Sequence, residues 1–128
     1  VNLALTCDQK TVVPVDELIY CIRESLTYLP QYGAVCALHQ EGKGNVRSRD
    51  AQTAYDFFED CLEAALPSLG ALMIRVECGE RFSIRLMMEE AAGLPNRNKY
   101  RSLGQLIIDD ADGALCATLS LKQGGERA

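Results

Sequence analysis

The stretch Leu72-Met73-Ile74-Arg75-Val76-Glu77-Cys78-Gly79-Glu80-Arg81-Phe82-Ser83-Ile84-Arg85-Leu86-Met87-Met88 decides the fold. Its apolar residues recur with period two. Leu72, Ile74, Val76 and Cys78 share one face, and Met73, Arg75 and Glu77 share the other. Beyond Gly79-Glu80 the alternation resumes, with Phe82, Ile84, Leu86 and Met88 on one face. That period belongs to half-buried strands, since a helix repeats every 3.6 residues. Gly79-Glu80, with glycine first, predicts a tight hairpin with a type II′ turn. A sheet that is apolar on one face needs a second layer to cover it.

Both directions along the chain supply that layer and extend the sheet. Downstream, Glu89 to Ser102 reads as a loop holding Gly93, Pro95, Asn96 and Asn98. Leu106-Ile107-Ile108 begins a third strand, Asp109 to Gly113 reads as a turn, and Leu115 to Leu121 as the last strand. The tail from Lys122 is polar and reads as frayed. Upstream, a helix runs from Ser48, a good N-cap residue, to Leu66, with Pro67 and Gly70 ending it. Its core stripe is Ala51, Tyr55, Phe58, Leu62, Ala65 and Leu66. Opposite lie Thr53, Asp56, Asp60 and Glu63, which read either as a solvated acidic face or as the floor of a pocket.

Further upstream, Glu41 to Asn45 reads as a turn and Ala34 to His39 as a short strand. A first helix opens at Asp16-Glu17 after Pro14, carries Leu18, Ile19, Ile22, Leu26 and Leu29 at helical spacing, and stops at Pro30 and Gly33. Val1 to Thr6 reads as a strand or as the tail of an upstream helix. The expected fold is α+β: a two-layer α/β sandwich whose mixed, mostly antiparallel sheet is covered on one face by helices. Residues 1–128 form one domain, with 1–13 as the tail of an upstream segment and 122–128 as a frayed end.

Bulk composition narrows the function. Of 128 residues, 48% are hydrophobic and 24% charged, enough for a sizeable core in a globular domain. A net charge of −5 argues against a basic nucleic-acid footprint. No apolar run reaches the roughly 18 residues of a membrane span, and the first residues lack the basic flank of a signal peptide. The start at Val1 reads as a fragment of a longer protein. Six cysteines (Cys7, Cys21, Cys36, Cys61, Cys78 and Cys116) sit widely spaced in apolar stretches, without a C-x-x-C pair, and read as reduced thiols acting as small hydrophobes. With one histidine and no ligand cluster, no metal site is expected. That histidine, His39, falls in a strand without an acidic neighbour and reads as structural.

The order of elements resembles the C-terminal ATP-binding (GHKL, or Bergerat-type) domain of bacterial sensor histidine kinases, from about Val12 to Leu121. Val13-Pro-Val-Asp-Glu-Leu18 resembles the family's lead into its first helix. Tyr55-Asp-Phe-Phe-Glu-Asp-Cys-Leu-Glu-Ala-Ala-Leu66 resembles its N-box helix, and Leu103 to Leu121 its closing hairpin. The resemblance implies a Mg-ATP cleft along the polar face of the second helix. It also implies a cytoplasmic location, upstream dimerisation and phosphoacceptor helices as partners, and a response regulator as a further partner. No nucleic acid and no membrane contact within this fragment are implied.

Residue by residue, the chemistry of that family is thinned. The N-box asparagine that helps hold magnesium falls at Ala64, and a methyl group ligates no cation. One turn earlier stands Asp60, where ATP-hydrolysing relatives place an acidic general base. Asp60 and Glu63 could contact a hard cation through oxygen, or be surface carboxylates. The D-x-G-x-G box aligns with Glu89-Glu-Ala-Ala-Gly-Leu-Pro95, so Glu89 replaces the adenine-binding aspartate, Ala91 replaces the first glycine, and Glu90 and Gly93 fall within the box. Strict alternation would instead put Met88 at the aspartate position, and a bulge would reconcile the two. No G-x-G of a phosphate-cradling lid occurs between Gly93 and Gly104. Arg97, Lys99 and Arg101 could meet phosphates or simply be solvated.

Three readings follow. The first is an ATP-binding-like histidine kinase domain, its ATP and magnesium binding weakened or lost, that acts in signal transduction. The second is an active kinase domain relying on Asp60, Glu63 and Glu89 to phosphorylate a histidine upstream. The third is an unrelated two-layer α/β regulatory or interaction module.

Overall fold

The computed structural model describes residues 12–27, 35–65, 70–89, 100–101, 103–111 and 114–122. In chain order these form β1 (Val12–Pro14), α1 (Val15–Leu26), β2 (Val35–Glu41), β3 (Asn45–Arg47), α2 (Ser48–Ala65), β4 (Ala71–Cys78), β5 (Arg81–Glu89), β6 (Gln105–Ala111) and β7 (Ala114–Lys122). Five strands make one mixed sheet in the order β2-β4-β5-β7-β6. Only β2 and β4 run parallel, and α2 lies in the connection between them. The pairs β4–β5, β5–β7 and β6–β7 are antiparallel.

One face of this sheet carries the core. Leu72, Ile74 and Val76 of β4, Phe82, Ile84, Leu86 and Met88 of β5, and Ala117, Leu119 and Leu121 of β7 are buried with Leu18, Ile19 and Ile22 of α1 and Phe57, Phe58 and Cys61 of α2. The opposite face is open. There Met73, Val35 and Ile107 are exposed, and Arg75 pairs with Glu41 at 2.9 Å and Glu77 at 3.2 Å. The expected two-layer α+β sandwich, with helices on one face of a mostly antiparallel sheet, is the observed architecture.

Local chemistry explains the helices. Proline has no N–H and a fixed φ, so it sits well just before a first turn. Pro14 caps α1 in the extended region (φ −64, ψ 142), and Asp16 and Glu17 meet the positive end of the helix dipole. No side chain caps that end. Instead the Val15 amide donates to the Gly44 carbonyl at 2.8 Å, which satisfies one of the helix's orphan donors. Gly44 belongs to the short turn Gly42–Gly44, in which both glycines hold positive φ. At the other end α1 stops at Leu26, where Thr27 returns to the Glu24 carbonyl through its amide (3.2 Å) and its hydroxyl (2.6 Å). Leu29, Pro30 and Gly33, expected to close this helix, lie outside the described residues.

Several expectations need correction. Val12 and Val13, the end of the expected tail, are strand. They pair antiparallel with β3, Val13 opposite Val46, in a separate two-stranded ribbon. Asp109, Asp110 and Ala111 are strand rather than turn, because the ladder to Cys116, Leu115 and Ala114 of β7 holds them. Lys122 is the last residue of β7 and pairs with Arg81. The β4–β5 connection is not a type II′ turn. Cys78 pairs with Phe82, leaving three residues between partners, and Gly79 lacks the positive φ that this turn demands. His39 lies on the open face of β2, exposed, with Nε2 4.0 Å from Glu41.

The buried stripe of α2 is wider than its 3.6-residue reading. Ala54, Phe57 and Cys61 are buried as well, while Leu62 is half-buried. All five cysteines among the described residues are free thiols: Cys61 and Cys78 are buried, and Cys21, Cys36 and Cys116 are half-buried.

Candidate functional site

The polar face of α2 is built by helical spacing alone. Gln52, Asp56, Asp60 and Ala64 stand one turn apart and form a single column, with Thr53 and Glu63 beside it. The Gln52 side-chain amide donates to Asp56 Oδ1 at 3.0 Å, and the Thr53 hydroxyl returns to the Arg49 carbonyl at 2.9 Å. Thr53, Asp56 and Asp60 are half-buried, so this is not a freely solvated acidic face. Glu63 is exposed, and Ala64 is half-buried.

Asp60 receives the hydroxyl of Tyr100. Tyr100 is fully buried, at 0% exposure, and its ring meets Phe57 edge to face, with centroids 5.0 Å apart and planes at 71°. Phe57 and Asp60 are neighbours on α2 at i and i+3, so one helix surface supplies both the apolar wall and the acceptor. Burial, then the hydrogen bond to Asp60 and its charge, pushes the Tyr100 phenol far above its ordinary range, so the hydroxyl stays a donor at neutral pH. The backbone is fixed too: the Tyr100 carbonyl accepts from the amides of Leu103 and Gly104, both at 3.0 Å. Beneath Asp60, burial first and the Asp60 charge second push the Cys61 thiol up to about 12, which removes it as a nucleophile.

The expected site residues are only partly brought together. Asp60, Glu63 and Ala64 share α2. Glu89 is the exposed last residue of β5, and the β4–β5 register runs without a break from Cys78–Phe82 to Ala71–Glu89. No bulge turns Glu89 toward α2, so Met88, 0% exposed, lies on the helix side and Glu89 on the open side. Glu90 and Gly93 lie outside the described residues, as do Arg97 and Lys99. Arg101 is exposed.

Tyr100 is the residue that the sequence reading missed. Its one signal is an aromatic ring within the polar run Arg97-Asn98-Lys99-Tyr100-Arg101. The arrangement presents oxygen acceptors from Asp56, Asp60 and Glu63, with a methyl group at position 64 and a phenol already on Asp60.

No family model matches the sequence, and no curated protein matches it. Solved structures do match in fold. The catalytic domain of histidine kinase ThkA, in a nucleotide-free form, superposes with a TM-score of 0.60 at 8% identity, covering 88% of this chain and 98% of that one. The Acinetobacter baumannii histidine kinase AdeS gives 0.64 at 11% identity over 91% of this chain and 69% of that one. ThkA in complex with the response regulator protein TrrA gives 0.67 at 10% identity, and there the match covers 92% of this chain and 43% of that one. This chain therefore has the fold of histidine kinase catalytic domains.

Proposed function

We propose that this chain is the ATP-binding-like domain of a two-component sensor histidine kinase in which nucleotide binding is weakened or lost, and that it acts as a signalling module. The fold it shares with ThkA and AdeS supports the kinase assignment. One observation carries the weakened site: on α2, the position that should ligate magnesium is Ala64, and the carboxylate one turn earlier, Asp60, is already the acceptor of Tyr100. Divalent magnesium needs near-octahedral oxygen coordination. A column offering a methyl group, an engaged carboxylate and an exposed Glu63 does not fit a Mg-ATP centre.

The domain then works through contacts. Its partners are the dimerisation and phosphoacceptor helices of its own protein, together with a response regulator, the class of protein bound by ThkA in its complex with TrrA. A cytoplasmic position fits this role, and no helix among the described residues is long and apolar enough to cross a membrane.

Calorimetric titration of the folded domain with a non-hydrolysable ATP analogue, with and without magnesium, tests the reading. No saturable heat is expected at millimolar analogue, and Ala64→Asn alone is not expected to restore it. Magnesium-dependent saturation of the unaltered domain would overturn the weakened site and return Asp60 and Glu63 as ligands.

A further inference from the structure

We propose that Met87 and Cys116, with Met73 beside them, form a binding site for a soft monovalent metal ion, Cu(I), on the open face of the sheet. The site lies across the sheet from α2, so it stands or falls independently of the nucleotide reading.

The register of the sheet brings the three sulfur-bearing residues together. Met73 of β4 is opposite Met87 of β5, and Met87 is opposite Cys116 of β7. All three fall in one row across adjacent strands, on the face that the helices leave open. Directly opposed residues hold their Cβ atoms about 5 Å apart. Met87 is central and has a sulfur neighbour on either side. Met73 is exposed and Met87 and Cys116 are half-buried, so the row is open to an ion from solvent.

A separate contact marks the position of the Cys116 sulfur. Arg85, on β5 with Met87, donates from Nε to Cys116 Sγ at 3.1 Å. The sulfur of this free thiol is therefore turned toward β5, the strand that carries Met87, and acts there as a lone-pair donor to a cation.

The chemistry of the row selects the ion. Among the described residues no three His, Cys, Asp or Glu side chains are grouped to hold a metal, and thioethers escape such a count. Magnesium and calcium want oxygen, and zinc wants imidazole or several thiolates. Thioethers beside a thiolate suit Cu(I). A thioether carries neither charge nor proton, so one thiolate neutralises one monovalent ion. On binding, the Cys116 S–H bond breaks and its proton goes to solvent. The sulfur's electron pair makes the S–Cu bond, the thioethers add lone pairs, and copper stays Cu(I).

The chain's third methionine, Met88, is buried on the opposite face and serves as an internal reference. The test is a titration of the whole chain, labelled at its methionine methyl groups, with Cu(I) delivered as its bicinchoninate complex in excess ascorbate. Loss of the complex's colour reads the affinity, and the methyl resonances read the ligands. The unaltered chain is expected to withdraw copper from bicinchoninate, with the Met87 and Met73 methyls shifting and saturating together while Met88 stays in place. Met87→Leu conserves volume and leaves all six thiols intact. It is expected to weaken binding by more than about tenfold, the least that even partners behind a metal's ligands are worth. Cys116→Ser is expected to lose at least as much.

Methionine methyls that stay in place while copper is taken up would mean that thiols alone hold it adventitiously, and overturn the site. Undiminished affinity of folded Met87→Leu has the same meaning. No withdrawal of copper by the folded, unaltered chain overturns the site outright. Should Met87→Leu fail to fold, the methyl shifts of the unaltered chain decide.

Discussion

The Ser25 hydroxyl of α1 donates to the Tyr55 hydroxyl of α2 at 2.6 Å, Tyr55 donates in turn to Glu59 at 2.7 Å, and the same Glu59 oxygen lies 3.3 Å from Ser25 Oγ. This cluster joins the two helices at the edge of the core, where the Tyr55 ring also tilts against Phe58 with centroids 5.7 Å apart. Tyr55→Phe keeps the ring and removes the shared hydroxyl. Urea unfolding is expected to show a loss of about 1 kcal/mol, the usual net worth of such a bond. A loss within experimental error would mean that water replaces the cluster at no cost.

Gly42 holds φ +83, and a Cβ built on it collides with the Cys78 carbonyl. Gly42→Ala combines backbone strain with a steric clash against main chain, and is expected to lower stability by roughly 2 kcal/mol or more. Gly79 has nothing near its would-be Cβ and no left-handed φ. Gly79→Ala is therefore expected to fall within about 0.5 kcal/mol of the unaltered chain. Thermal denaturation of the pair checks the contrast.

Alkaline pH is expected to destabilise the fold. Burial is the main cause that raises the Cys61 thiol from 9.0 to about 12 and the Tyr55 phenol from 10.0 to about 12. In both cases the folded chain holds its proton more tightly than the unfolded chain. Their contributions are thus intact below the unfolded values and are lost as pH rises toward the folded ones. The urea midpoint should fall progressively between pH 9 and 12. Cys61→Ala should make that fall shallower, whatever its effect on stability at neutral pH. A midpoint that stays flat across the window would contradict the assignment.

Arg75 lies on the open face with Glu41 and Glu77, all partly exposed. Exposed ion pairs are screened and carry entropy costs, so Arg75→Gln is expected to cost less than about 1 kcal/mol, and less still at high salt. Chemical denaturation at two salt concentrations measures both.

The main sheet was legible because its signal is local. Leu72 to Met88 alternates over two full strands, and burial on one face follows the alternation residue by residue. The short ribbon was not legible. β1 and β3 have three residues each, too few to show a period, and they pair across more than thirty residues of sequence. Asp109 and Asp110 look like turn residues by composition, yet the ladder to β7 makes them strand, since pairing overrides local preference at a sheet edge.

The candidate site divides in the same way. Helical spacing placed Asp60, Glu63 and Ala64 together from sequence. Tyr100 meets Asp60 from forty residues away, and nothing in its neighbours' polarity announces a buried ring. Glu89 was drawn toward the site by alignment, whereas unbroken strand register keeps it on the other face.

The central claim is that the polar column of α2, with a methyl group at Ala64 and Asp60 accepting from Tyr100, does not serve as a Mg-ATP site. Amide chemical shifts of an isotope-labelled domain, followed while magnesium and a non-hydrolysable ATP analogue are raised into the millimolar range, test it at the residues concerned. The account expects the Asp56, Asp60 and Ala64 amides to stay in place. Saturating shifts of those three amides that depend on magnesium would contradict it.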